Sequence, residues 1–272
     1  MELNFYYPNG EKIYTLDEFI TFYSKAYYIG QYIEVEKIID DILEKGIKSK
    51  SDIIKIIGWK VGAIDMKATY LWNSKKTSPN KEFFYRTRQG KIVSESYLVN
   101  NEEIIVNTYG REIPVVRISN EIFKILDDKG FKKPIDELYV IDDEKLFKKF
   151  FRECWDDLFK DSNGKYVDTK GIGSVYRLTI LYFYTIGMFP IYDKFADVAI
   201  TAIIEDKKPF HQIKYLSTLP KKEKTNINGI CDEYYKFYKK MIADNDLIET
   251  YFHNRNVDRA LWTYGHLFTI VD

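Results

Sequence analysis

The middle of the chain contains two glycines and one aspartate that could do chemistry together. Their spacing could bind a phosphate group and place a carboxylate at a fixed distance from it. The segment TKGIGSVYRLTILYFYTIGMFPIYDKFADVAI covers residues 169–200, with Gly171 and Gly173 on either side of an isoleucine. Glycines at both places allow a tight turn and a close approach of the backbone to another surface. Ser174 begins a helix whose exposed N–H groups would form an anion site suited to a phosphate. Lys170, just before the turn, would add a positive charge.

A buried helix and then a carboxylate follow this turn. The stretch VYRLTILYFYTIG is apolar nearly all round and is expected to end near Gly187. Pro190 would stop any continuation and begin the next helix. Asp193 then lies close to a helix N-terminus, 20 residues after Gly173. On residue type alone, an aspartate in this position is usually a helix cap or a partner of the helix dipole.

The spacing resembles that of the helix-hairpin-helix DNA glycosylase superfamily. Members of that family have a Gly-hydrophobic-Gly hairpin, a buried helix, and then Pro-x-x-Asp or Pro-x-Asp at about this distance. FPIYD is similar to the adenine-mismatch glycosylase form of the motif. The longer pattern, with VDRALWTYGHLF, is similar to bacterial proteins described as resembling 8-oxoguanine glycosylases. The motif covers residues 169–200, and the broader resemblance covers the C-terminal half.

The resemblance implies a role for each motif residue. Gly171 and Gly173 would offer backbone contacts to the phosphates of double-stranded DNA. Asp193 would stabilise the positive charge that grows on the sugar as a damaged or modified base leaves. The base would be flipped out of the duplex into a pocket. The hairpin carbonyls could hold a monovalent cation, and no other cofactor is expected. An iron–sulfur cluster is excluded, because the chain has only Cys154 and Cys231.

Strand cleavage by such a protein would need a lysine as nucleophile. Bifunctional family members carry this lysine two residues after the second glycine, where this chain has Val175, so a monofunctional glycosylase is expected. Two lysines remain: Lys170 is expected to point toward phosphate as a solvated cation, which makes it a poor nucleophile. Lys60 is the better candidate, since GWKVG places it between two glycines on an apolar helix. A desolvated lysine loses its proton more readily and can attack a sugar aldehyde. The alternative is that Lys60 extends outward from the helix edge to water.

Two other functions compete with the glycosylase hypothesis. RALWTYGH places six residues between Arg259 and His266, which resembles the Arg-x(4–6)-His signature of HEPN ribonucleases from toxin and antiphage systems. These residues could instead pack a terminal helix, with Arg259 paired to an acid and His266 near the helix C-terminus. The third hypothesis is a DNA-binding module that keeps the hairpin and has lost the chemistry.

Composition limits these hypotheses. The 272 residues include 41 basic and 41 acidic side chains, so a nucleic-acid surface must be a local patch. Two cysteines and three dispersed histidines give neither a disulfide framework nor a zinc signature. MELNFYYPNG lacks the apolar core of a signal peptide, and no run approaches the ~20 apolar residues of a membrane span. A cytoplasmic protein is therefore expected.

The elements that position these residues are predicted to be mainly helical. The resemblance implies a two-lobed helix-hairpin-helix glycosylase-like fold with a small antiparallel β insertion. We predict a helical part over residues 1–78, the β insertion over 79–118, and a helical lobe with the motif over 119–272. Alternating β-branched residues predict hairpins that turn at Gln89–Gly90 and Tyr109–Gly110.

Helical periodicity in the N-terminal part predicts three helices. The first two are separated near Gly30 and end at Gly46. The third follows in SKSDIIKIIGWKVGAIDM, with Ser51 as its expected N-cap.

Overall fold

The computed structural model describes residues 3–28, 33–75, 82–129, 138–215 and 227–271. These residues form twelve helices and four two-stranded sheets, which confirms the predicted mainly α fold with small β elements. The helices are α1 (Leu16–Tyr28), α2 (Ile33–Lys45), α3 (Lys50–Lys60), α4 (Met66–Asn73), α5 (Glu95–Asn100), α6 (Val115–Lys129), α7 (Glu144–Phe159), α8 (Ser174–Tyr184), α9 (Lys194–Ile204), α10 (Ile227–Met241), α11 (Asn245–His253) and α12 (Asn256–Gly265). None of the helices in these ranges has the length and apolar character needed to cross a membrane.

The strands are short and pair mostly with their neighbours in sequence. They are β1 (Phe5–Tyr6), β2 (Lys12–Ile13), β3 (Phe84–Arg86), β4 (Ile92–Ser94), β5 (Ile105–Val106), β6 (Glu112–Ile113), β7 (Gln212–Lys214) and β8 (Thr269–Val271). The first three pairs are antiparallel, whereas β7 and β8 pair in parallel. The two predicted hairpin turns are confirmed, with φ of +75° at Gly90 and +77° at Gly110.

The predicted β insertion ends earlier than its expected limit at residue 118. Helix α6 begins at Val115, directly after Pro114. The apolar residues that suggested a strand, Val115, Val116 and Ile118, are buried along one side of this helix with Ile122. The proline explains the change, because its fixed φ suits a helix start and its missing N–H costs nothing there.

The chain forms two compact units. Unit 1 comprises Met1–Gly30, Asp136–Arg152 and Gly187–Asp272, and unit 2 comprises Gln31–Ile135 and Glu153–Ile186. The described strands of the β insertion, β3 to β6, belong to unit 2.

Aromatic side chains fill much of the core of unit 1. The Phe147 ring lies 4.4 Å from the Tyr238 ring and 5.5 Å from the Phe189 ring, measured between centroids. Helices α9 and α12 approach so closely that a Cβ added at Gly265 would lie 2.0 Å from the carbonyl oxygen of Phe195. A glycine is therefore required at this crossing, where any side chain would force the helices apart.

The core of unit 2 includes one face of α3, where four isoleucines are buried. Its N-cap is Ser49, so the prediction of Ser51 was wrong. The Ser49 hydroxyl accepts from the N–H of Asp52, and the Asp52 carboxylate accepts from the N–H of Ser49, which forms a capping box. Ser51 lies inside the helix, where its hydroxyl donates to the carboxylate of Glu95.

Candidate functional site

The turn before α8, residues 168–173, is called the glycine loop below. Gly171 has a φ of +109°, and a Cβ added there would lie 2.7 Å from Cδ of Pro114. Both the backbone torsion and the space therefore require glycine at this position. Gly173 has a φ of −88° and no atom within 4 Å of an added Cβ. The two motif glycines thus differ, because the fold requires the first and leaves room for another surface at the second.

Helix α8 begins at Ser174, as predicted. Its N-cap is Gly173, which has no side chain to accept the N–H groups of the first turn. The N–H groups of Tyr176 and Arg177 donate to the Gly173 carbonyl, at 3.1 and 3.2 Å. The glycine contributes no side-chain acceptor to this helix start, and helix N-termini in general favour the binding of an anion.

Two arginines hold the backbone of the glycine loop. Arg111 donates from Nη2 to the Gly171 carbonyl at 2.8 Å. Arg117 donates to the carbonyls of Asp168 and Lys170, at 3.0 and 2.6 Å, and to the Asp168 carboxylate at 2.7 Å. The carbonyls of Lys170 and Gly171 therefore do not fit a monovalent cation site, because guanidinium groups already bond to them. Arg117 was not among the predicted site residues. It lies 51 positions from Asp168 in sequence, so no local sequence pattern indicates that the two residues pair.

Asp193 is the N-cap of α9 in unit 1. Its Oδ1 accepts from the N–H of Phe195 at 2.9 Å, and its side chain is half-buried. The prediction that Pro190 begins this helix was wrong, since α9 starts at Lys194. Pro190 lies instead in the preceding loop, where its carbonyl accepts from the Tyr234 hydroxyl at 2.6 Å. The carboxylate is thus fixed at the positive end of a helix, as a capping aspartate is.

Lys60 is the last residue of α3 and is half-buried. The two glycines around it have structural causes. An added Cβ at Gly58 would lie 2.4 Å from the Tyr85 ring, and Gly62 has a φ of +68° just past the helix. The N–H groups of Gly62 and Ala63 donate back to the carbonyls of Trp59 and Gly58, which forms a Schellman motif. Packing and helix termination therefore account for the GWKVG pattern.

The two residues of the ribonuclease hypothesis have different surroundings in unit 1. Arg259 is 3% exposed, and its guanidinium lies 5.0 Å from the Tyr28 ring centroid and donates to Asn256 at 3.0 Å. His266 is exposed, stacks on the Phe195 ring at 3.4 Å, and has Nδ1 2.8 Å from the Trp262 carbonyl. Both sets of contacts are typical of residues that pack a terminal helix.

Unit 2 also contains a buried carboxyl group that the sequence did not indicate. Burial raises the pKa of Glu95, although the Lys55 ammonium, 3.8 Å away, and the Ser51 hydroxyl oppose the rise. Glu95 opens α5 and connects it to α3 through these two partners. These contacts give it a role in holding the β insertion against a helix.

No family model, curated protein or solved structure matches the chain in the comparisons made. Among the residues that the structure describes, no three His, Cys, Asp or Glu side chains are grouped so that they could hold a metal ion. The resemblance to helix-hairpin-helix glycosylases therefore rests on the motif residues of the sequence alone.

Proposed function

We propose that the protein is a monofunctional DNA N-glycosylase that excises a damaged or modified base from double-stranded DNA. The role would be in DNA repair or in defence against modified foreign DNA. The observation that carries the proposal is the position of Asp193. It is a half-buried carboxylate at the N-terminus of α9, 20 residues after the glycine that caps α8.

The glycine loop would bind the DNA backbone. The start of α8 offers N–H groups with a glycine cap, and Arg111 and Lys170 are exposed beside it. Phosphate oxygens accept well from such N–H groups and from guanidinium. Because each phosphate contact releases counterions, DNA affinity should fall steeply as salt rises. A local patch of this kind is compatible with a net charge of zero.

Asp193 would act on the chemical step. As the base leaves, positive charge grows on the sugar, and a nearby carboxylate lowers the energy of that transition state. The Phe195 N–H fixes one carboxylate oxygen, and the dipole of α9 favours the negative charge. A group positioned in this way needs little reorganisation during the reaction.

The substitution Asp193→Asn tests this role with the helix cap kept. Asparagine caps helices about as well as aspartate, so stability should change by only a few tenths of a kcal/mol. The negative charge is lost, and the rate of base release should fall by about 10²-fold to 10³-fold with DNA binding nearly unchanged. Single-turnover assays on a panel of damaged duplexes, paired with binding titrations, measure both quantities.

A matched control is available in α11. Asp244 caps that helix and accepts from the N–H of Leu247 at 3.1 Å, so Asp244→Asn makes the same chemical change at another cap. Base release should be unaffected in this variant. Unchanged excision in Asp193→Asn would remove Asp193 from the mechanism.

The monofunctional assignment depends on Val175 and has its own test. Incubation with abasic-site DNA and borohydride traps any imine between the protein and the sugar as a covalent adduct. We expect no adduct. An adduct that is lost in Lys60→Ala and kept in Lys170→Ala would instead make Lys60 the nucleophile of a glycosylase/lyase.

The same preparations separate the competing functions. Salt-dependent DNA binding by the wild type, with no base release on any substrate, would favour a DNA-binding module. Metal-independent cutting of labelled RNA that disappears in His266→Ala would favour the HEPN-like ribonuclease.

A further inference from the structure

A rigid turn in unit 2 presents an exposed aromatic side chain. Tyr109 is 92% exposed at the apex of the hairpin that connects β5 to β6. The buried amide of Asn107 holds this apex, since its Oδ1 accepts from the N–H groups of Tyr109 and Arg111, at 3.0 and 2.9 Å. The backbone N–H of Asn107 donates to the Arg111 carbonyl at 3.1 Å. The ring is therefore displayed by a fixed backbone and is not packed into the fold.

The hairpin is also fastened to the glycine loop. Besides its bond to the Gly171 carbonyl, the Arg111 guanidinium lies 5.6 Å from the ring centroid of Tyr176, in the first turn of α8. On the other side of the apex, the Thr108 hydroxyl lies 3.8 Å from a Cβ added at Gly62, just past the end of α3. The apex, the start of α8 and the end of α3 thus belong to one region of unit 2.

An exposed aromatic face beside cations and helix N–H groups is the combination that binds an unpaired nucleotide. The ring stacks on a base, while the positive groups contact the adjacent phosphate. Tyrosine suits this task because it offers a large rigid surface with few rotatable bonds. The fixed apex further reduces the ordering cost of binding.

We infer that Tyr109 stacks on an unpaired nucleobase of a DNA strand whose phosphate contacts the glycine loop. The inference rests on the proposed function for the identity of the polymer, and it adds a contact outside the helix-hairpin-helix motif. The affinity of this contact would come from stacking of the base on the face of the ring and not from charge. Two measurable consequences follow, one in the affinity and one in its salt dependence.

The test compares Tyr109→Ala and Tyr109→Leu with Tyr109→Phe. The probes are a labelled single-stranded oligonucleotide, a duplex with one unpaired 2-aminopurine, and the fully paired duplex. Tyr109→Ala and Tyr109→Leu lose the aromatic face and should bind the first two probes about 10-fold more weakly than the wild type. Tyr109→Phe keeps the aromatic face and should bind them as tightly as the wild type does. The slope of log affinity against log salt should match the wild type, because no charge is removed.

Tyr14→Ala is the matched control, since Tyr14 is 82% exposed and belongs to unit 1. It should leave the affinity for all three probes unchanged, and none of the variants should shift the melting temperature appreciably.

Three outcomes would overturn the inference. Wild-type affinity and 2-aminopurine quenching in Tyr109→Ala would remove the stacking contact and leave the proposed glycosylase intact. An equal loss for the fully paired duplex would show that Tyr109 does not read an unpaired base. Failure of the wild-type protein to bind any of the probes would overturn both the inference and the proposed function.

Discussion

Two loops lead into the two helices of the motif, and they are held in different ways. The glycine loop before α8 is bound by guanidinium groups, with Arg117 40% exposed and its partner Asp168 65% exposed. The loop before α9 is bound by buried tyrosines. The Tyr234 hydroxyl donates to the Pro190 carbonyl at 2.6 Å, and the Tyr251 hydroxyl accepts from the Ile191 N–H at 2.9 Å.

The difference suggests separate tasks for the two loops. Exposed ion pairs contribute at most about 1 kcal/mol and are screened by salt, so a phosphate can compete for the same guanidinium groups. Buried hydrogen bonds are costly to break, because the partner left behind is unsatisfied. The first loop is thus suited to exchange partners, and the second to keep the carboxylate of Asp193 in a fixed position. Four predictions test this comparison.

Gly171→Ala should have the largest effect. The φ of +109° and the Pro114 ring 2.7 Å from an added Cβ combine backbone strain with overpacking. We expect the free energy of unfolding to fall by about 2–4 kcal/mol in urea denaturation. Gly173→Ala, with open space and an extended backbone, should cost less than about 1 kcal/mol. Equal losses in the two variants would show that the glycine loop is packed as tightly at both positions.

Tyr234→Phe should come next in size. The substitution keeps the ring that packs on Phe147 and Phe151, and it leaves the buried Pro190 carbonyl without its donor. The expected loss of unfolding free energy is about 1–3 kcal/mol. Tyr97→Phe, at a residue 44% exposed, serves as the control and should change stability by under ~0.5 kcal/mol. A loss no larger than that of the control would show that the loop before α9 is held only weakly.

Parts of the fold that have a local cause could be predicted from the sequence. Helical periodicity and glycine positions indicated α1, α2 and the start of α8, because side-chain spacing decides which face is buried. Positive φ at Gly90 and Gly110 follows from turn chemistry within four residues. Even the missed cap had a local signal, since Ser49 and Asp52 have the spacing of a capping box.

The contacts that hold the loops could not be predicted in the same way. Arg111 and Gly171 are 60 positions apart, and Tyr234 and Pro190 are 44 apart. No local preference of an arginine or a tyrosine identifies such a partner, because the pairing depends on how helices pack. The sequence therefore showed the candidate residues Gly171 and Asp193, while the groups that fix them are visible only in the folded chain.

Asp193→Ala should destabilise less than Tyr234→Phe does. Alanine cannot accept the Phe195 N–H, so the first turn of α9 loses its cap at a cost of about 1 kcal/mol. Asp193→Asn keeps the acceptor and should remain within a few tenths of a kcal/mol of the wild type. Urea denaturation of both variants, alongside Asp244→Ala and Asp244→Asn, measures the cap alone. If Asp193→Asn destabilised as much as Asp193→Ala, the charge itself would be needed for folding. A loss of base release in Asp193→Asn could then result from lower stability and would not identify a catalytic role.

Arg117→Met should have the smallest effect and the clearest salt signature. The substitution removes the bonds to the Asp168 carboxylate and to the carbonyls of Asp168 and Lys170, all at an exposed position. Water can replace these donors, so the free energy of unfolding should fall by at most about 1 kcal/mol. The loss should be greatest near about 0.05 M salt and shrink near about 1 M, because the ion pair is screened. The loss in Tyr234→Phe should stay constant over the same range, since a neutral buried hydrogen bond is not screened. A salt-independent loss of several kcal/mol in Arg117→Met would mean that the guanidinium is a structural anchor, and that the glycine loop is not free to exchange it for a phosphate.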